Sequence, residues 1–167
     1  MTIIEAIYQR RSIREYTDQK VSREALLEIV KAGSWAPSGL NNQPWRFILI
    51  TAEEIRSKIA EQTRYSKIVL AAPALVAVFL DTEAIYNEVK DHQAVGACIQ
   101  NMLLTAEALG LGAVWLGEIL NQKKVVNEIL QCPERNDLMA VIAIGHPLHH
   151  RQQSKRKNLS DLILKEL

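Results

Sequence analysis

The stretch Ala36-Pro37-Ser38-Gly39-Leu40-Asn41-Asn42-Gln43-Pro44-Trp45-Arg46-Phe47 fits neither a helical period nor a strand alternation, yet it lies between two segments that do. Pro37 and Pro44 fix φ at their own positions and restrict the residue before each, Gly39 permits φ > 0, and the Asn and Gln amides both donate and accept. Such a loop is either an ordinary helix-to-strand connector or a surface that offers backbone and side-chain groups to a planar polar ligand. Upstream, Ser22 starts a predicted helix whose stripe is Leu26, Leu27, Ile29 and Val30, ending near Gly33. Downstream, Trp45–Thr51 has the aromatic and β-branched content of a strand. The local order is therefore helix, shaped loop, strand.

Working outward, Thr2 caps a predicted helix to about Gln9, after which Arg10-Arg11-Ser12-Ile13-Arg14 gathers three arginines and a hydroxyl within five residues. Guanidinium forks and a serine hydroxyl suit phosphate oxygens; a solvated basic turn is the alternative. Residues 52 to about 67 read as one weakly amphipathic helix, and Ala74–Leu80 is a continuous apolar run of central-strand length. The longest helical pattern runs from about Tyr86 to Leu109, with Val95, Ile99, Met102, Leu103 and Ala106 at three- and four-residue steps; it serves either as the spine of the core or as a subunit interface. Gly110-Leu111-Gly112 closes it, and a short strand from Ala113 breaks at Gly117, where a ligand can approach the backbone or a strand merely ends. A helix from Asn121 to about Leu130, a strand over Leu138–Gly145, a basic tail through Lys155-Arg156-Lys157 and a short amphipathic run from Leu159 to Leu164 complete the chain.

With 167 residues and 48% hydrophobic content, the chain predicts one domain over residues 1–167. Its 20 basic and 19 acidic side chains leave a net charge of +1, which gives no global field for nucleic acid or an anionic membrane. The N-terminus has no basic region followed by an apolar one, and no apolar run reaches spanning length, so the expected location is cytoplasmic. Cys98 and Cys132 form neither a disulfide framework nor a metal spacing, and His149-His150 lack partners at ligand spacing, so no metal is expected. No GxSxG, HExxH, P-loop or GxGxxG occurs. Reactivity, if the chain is an enzyme, then comes from a bound cofactor that the protein holds and tunes.

Four segments in this order, Arg10–Arg14, Ala36–Trp45, Gly110–Gly117 and Gly145-His146-Pro147 with its basic tail, resemble the nitroreductase family of FMN-dependent oxidoreductases over about Ile3 to Leu164. The resemblance implies an α+β fold with a mixed, mainly antiparallel central sheet flanked by helices. It also implies an intertwined homodimer with two FMN sites at its interface. By likeness, Arg10, Arg11, Ser12 and Arg14 hold the phosphate, ribityl chain and pyrimidine edge, joined by Arg156 and Lys155. Pro37, Ser38, Gly39 and Asn41 come from the other subunit, while Trp115, Leu116, Gly117 and Glu118 pass along one face, with the Gly117 backbone N–H toward flavin N5. No catalytic side chain is then required.

The implied activity is ping-pong hydride transfer from NAD(P)H through FMN to a small electron-poor acceptor such as a nitroaromatic or quinone. An FMN carrier or redox sensor without turnover is one alternative. A flavin-fragmenting or dehalogenating relative is another. The pattern departs from the family between Arg56 and Lys67, where Tyr65 and Lys67 are the candidate replacements, and the chain is short for the family on the substrate side of the flavin.

Overall fold

A computed structural model describes residues 1–167. Six α-helices and four strands follow one another as α1 Ile3–Gln9, α2 Arg23–Ser34, β1 Trp45–Ile50, α3 Glu53–Ala60, α4 Ser66–Ala71, β2 Ala74–Asp81, α5 Glu88–Ala108, β3 Gly112–Leu116, α6 Lys123–Ile129 and β4 Asn136–Gly145. The sheet order is β1-β2-β4-β3, and every neighbouring pair is antiparallel. A single parallel bridge, Ser12 to Ala113, adds the N-terminal segment to the outer edge of β3.

Side chains that alternate along a strand reach both faces of the sheet, and here both faces are covered. Ala74, Val76, Val78 and Leu80 of β2 pack with Leu26 and Ile29 of α2 and with Val95, Ile99 and Met102 of α5. Leu75, Ala77 and Phe79 point the other way, to Ile59 of α3, Val69 of α4 and Val126 of α6. This two-sided burial explains why β2 reads as an unbroken apolar run. Gly33 does not end α2 as the sequence predicts: the helix continues to Ser34, and the glycine marks close packing on α5, since a Cβ there would lie 2.7 Å from Met102 Cγ.

The helix expected over residues 52–67 is instead two, α3 and α4, separated by the turn 61–65. Thr63 in that turn is buried, and its hydroxyl donates to Glu118 Oε2 at 2.5 Å, a tertiary bond that a continuous helix could not direct in the same way. The Leu159–Leu164 run forms one 3-10 turn, Leu159–Asp161, and its apolar side chains are exposed. No helix is long and apolar enough to cross a membrane.

Cys98 of α5 faces the core beside α2, and burial pushes its thiol up to about 12. The native state keeps this proton where the unfolded chain loses it. The stabilising contribution is therefore complete below about 9 and disappears as pH rises from there to about 12. At pH 8 a disulfide reagent is expected to leave Cys98 unmodified in native protein and to titrate it only after unfolding in urea, while the partly exposed Cys132 reacts in both; mass mapping of the labelled cysteine checks this.

Candidate functional site

The N-terminal arginine segment reaches the sheet through backbone bonds. Ile13 N–H donates to Ala113 O at 3.1 Å, and Ile13 is fully buried against Gly112, whose added Cβ would lie 2.6 Å from Ile13 Cγ2. With Ile13 turned inward, Ser12 and Arg14 on either side turn toward the surface. Further along, Tyr16 is buried and its hydroxyl donates to Ile13 O at 2.6 Å, which closes the segment on itself, and burial pushes the phenol well above its ordinary range.

The tail lies over this segment. Leu148 N–H donates to Glu15 O at 3.0 Å, His149 Nε2 lies 3.3 Å from Glu15 Oε2, and Arg11 Nε donates to Gln152 O at 3.2 Å. The two chains enclose a cleft of about 320 Å³ lined by Arg10, Arg11, Ser12 and Arg14 from one side and Gln152 to Arg156 from the other, with no hydrophobic residue among them. Ser12, Arg14 and Gln152 also border an adjoining cavity of about 710 Å³, whose further walls include Tyr16, Lys67, Ile68 and Leu148.

The electrostatics of the cleft favour an anion. Burial, then the neighbouring charges of Arg156 and Arg11, hold Arg10 below the usual arginine value, with Glu107 acting against them. Arg10 Nε is buried without a hydrogen-bond partner in the chain. A buried orphan donor among mutually repelling cations is relieved by a phosphate-like ligand, which supplies acceptors and opposite charge together. Arg11 has a different part in the site. Its Nη1 donates to the carbonyls of Tyr8, Gln9 and Arg10 at 2.7, 3.0 and 2.9 Å, so together with the Nε bond it caps α1 and fastens the tail. Arg156 is oriented by bonds to Ser154 Oγ and Lys155 O.

The parallel bridge places the arginine segment alongside β3, which ends one residue before Gly117. From Ala113 to Gly117 is about 13 Å at the rise of a β-strand, a separation that an elongated ligand can span. Trp115 projects outward, 43% exposed, whereas Leu116 is buried and offers only its backbone to that surface. A Cβ at Gly117 would meet nothing within 4 Å, so the strand end is open. Glu118 turns aside to Thr63, whose hydroxyl holds its carboxyl below the ordinary glutamate value, and it lines a separate polar cavity with Thr63, Arg64 and Asn121.

Pro37, Ser38, Gly39 and Asn41 line neither the basic cleft nor the cavity beside it. They form a tight surface turn in which Gln43 N–H donates to Ser38 Oγ at 3.0 Å and Leu40, Asn41 and Gln43 all have positive φ, at 55, 56 and 47°. The left-handed region costs a residue such as leucine about 1–2 kcal/mol. Leu40 is nonetheless 85% exposed, so burial of its own side chain does not compensate that cost.

Of the two candidate replacements in the departing region, Lys67 borders the larger cavity beside Arg14, while Tyr65 lies under the Arg64 guanidinium, 5.1 Å from it. Sequence reasoning missed Gln152 and Tyr16 as walls of the cleft system. The adjoining Glu15–His149 pair had no local signal either, being a contact between distant parts of the chain.

Fold and cleft define an α+β protein with a basic, phosphate-sized recess at one edge of its sheet and an open strand end beyond it. The model of the nitroreductase family matches residues 7–65 and 60–146. A candidate nitroreductase from Desulfovibrio desulfuricans, crystallised in complex with FMN, superposes with a TM-score of 0.95 at 53% identity, over 100% of this chain and 98% of that one. A candidate NADH dehydrogenase/NAD(P)H nitroreductase of Archaeoglobus fulgidus is 35% identical over 147 residues, 86% of this chain and 84% of the relative. The FMN reductase [NAD(P)H] of Bacillus subtilis is 29% identical over 176 residues, 92% of this chain and 69% of the relative. The chain belongs to the nitroreductase family.

Proposed function

We propose that this protein is a homodimeric FMN-dependent NAD(P)H oxidoreductase in which residues 1–167 act as one FMN-binding domain. The observation that carries the reading is the basic cleft, in which the orphaned Arg10 Nε and the mutually repelling charges of Arg10 and Arg156 suit a bound anion. Arg10, Ser12, Arg14, Lys155 and Arg156 would hold the phosphate and ribityl end, with Arg11 supporting them by fixing the tail to α1. When bound, FMN supplies hydride chemistry, accepting from NAD(P)H and donating in a second half-reaction to an electron-poor acceptor such as a nitroaromatic or quinone. Gly117 presents backbone rather than a side chain at the open strand end. It can therefore donate a hydrogen bond at the redox-active position without adding a titratable group. Trp115 supplies an outward aromatic wall on the same strand.

The dimer is supported by apolar surface that a monomer would leave in water. Ile3, Ile4, Ile7 and Tyr8 of α1 and Leu159, Leu162 and Leu164 of the tail are all exposed. Asn41 and its neighbours, which stay outside the cleft of their own chain, are assigned to the cofactor site of the neighbouring subunit. The reading also places the protein in the cytoplasm, where Cys98 and Cys132 remain reduced.

Titration of purified protein with FMN, followed by anaerobic NADH and then NADPH, tests cofactor and donor together. Bound flavin that bleaches with at least one nicotinamide is expected; no flavin binding sinks the reading. The shared site has its own test. A mixed dimer with Asn41→Ala in one subunit and Arg10→Ala in the other is expected to bind FMN at one intact site per dimer, because both changes fall in the same site. Two weakened sites, one carrying each substitution, would show that each chain builds its pocket alone.

A further inference from the structure

Asp91 lies in the first turn of α5 with its side chain fully buried, and the proposed reaction makes no use of it. Its Oδ1 accepts from Asn42 Nδ2 at 2.8 Å, and its Oδ2 accepts from the backbone N–H groups of Tyr86 and Asn87, both at 2.9 Å. The Asn42 amide also donates to Ala84 O at 2.9 Å. One carboxylate thus joins the 36–47 loop, the connection before α5 and α5 itself. Burial alone would raise its pKa, but the hydrogen bonds from Asn87, Asn42 and Tyr86 outweigh burial and hold it below the ordinary aspartate value, so it is ionised and accepts from all three.

The loop it anchors is the strained one. Non-glycine residues persist in the left-handed region only where their surroundings over-determine the backbone, and Leu40, Asn41 and Gln43 flank Asn42 in that region. Beside the Ser38–Gln43 bond within the turn, two contacts tie it to the rest of the chain. Gly39 packs so closely on Tyr86 that a Cβ would lie 2.1 Å from Tyr86 Cε1, and Asn42 is bonded to Asp91.

We propose that Asp91 is a positioning residue for the flavin pocket: through Asn42 it holds residues 38–41 in the turn that presents Ser38 and Asn41 to the cofactor of the neighbouring subunit. The proposal rests on the dimeric FMN reading above. Asp91 is fully buried behind the loop, so its effect is on the geometry and rigidity of the loop.

Exchanging the two polar groups tests it. Asn42→Asp opposes two carboxylates across a part-buried contact, whereas Asn42→Asp combined with Asp91→Asn restores one carboxylate and one amide across it while still leaving Ala84 O without its donor. In apoprotein, hydrogen exchange at the amides of residues 38–43 is expected to accelerate about tenfold or more in N42D and to return part of the way in the double variant, while the C-terminal half of α5 stays at the wild-type rate. The FMN dissociation constant, read by flavin fluorescence, should rise about tenfold in N42D and recover in part in the double variant. Should N42D not fold, Asn42→Ala removes the same bond without adding charge and gives both readings. Unchanged loop exchange overturns the anchor, and faster exchange with unchanged FMN affinity overturns the positioning role. Wild-type protein that binds no FMN overturns the functional reading and the pocket role with it, and the exchange measurement then still decides whether Asp91 holds the loop.

Discussion

Arg10→Glu is expected to weaken FMN binding by about 100-fold or more. A hydrogen bond to a charged group contributes about 1.5–3 kcal/mol, and charge reversal also sets a carboxylate against the phosphate, so a loss of about 3 kcal/mol is a modest expectation. The geometry strengthens the argument, since Arg10 is the partly buried cation whose Nε has no partner in the chain and which Arg156 and Arg11 crowd. In protein without ligand the substitution removes that repulsion, so stability is expected to stay level or rise while affinity falls. Opposite signs in the two measurements distinguish a ligand-holding arginine from a structural one. Lys124→Glu, an equal change of net charge at an exposed position beside a different cavity, serves as control. Equal FMN affinities in the two variants at low salt would remove Arg10 from the phosphate site. The loss should also shrink as ionic strength rises, because the cleft is open enough for screening.

The sequence disclosed what local patterns can disclose. β2 announced its central place because both faces are covered and every position from Ala74 to Leu80 is apolar. Thr2 and Ser22 capped their helices as read, with side chains accepting from Glu5 N–H and Ala25 N–H. The four family segments were legible because tight turns and charge clusters are set by consecutive residues. What stayed hidden depends on partners far away in the chain. Residues 61–65 leave the helix because Thr63 finds Glu118, and Arg11 reaches Gln152 across 141 positions. Asp91 reads as one more acid in the first turn of a helix, and only the return of the loop shows that it anchors Asn42. Leu116 divides in a way no local pattern shows, with its side chain in the core and its backbone left for the outer surface.

The second large effect joins packing to the site. Ile13→Ala is expected to destabilise the protein by about 2–5 kcal/mol, the usual range for truncating a fully buried isoleucine. For a chain of this size each kcal/mol corresponds to about 2–4 °C in Tm, which thermal denaturation resolves easily. Ile13 stands between Ser12 and Arg14 and fills the space left open by Gly112, so the same cavity that lowers Tm loosens the backbone carrying the arginines. Gly112→Ala probes that contact from the other side. Its Cβ would lie 2.6 to 2.8 Å from three atoms of Ile13, too close to be accommodated without moving the segment, and overpacking of this kind costs about 1–3 kcal/mol. One variant leaves a void and the other a clash, yet both displace Ser12 from Ala113. Both are therefore expected to reduce FMN affinity as well as Tm, whereas Val126→Ala, a buried truncation on α6 away from this contact, lowers Tm alone. FMN affinities that follow Tm equally in all three variants would mean that the cleft responds to global stability, and that the Ile13–Gly112 contact has no particular hold on the phosphate site.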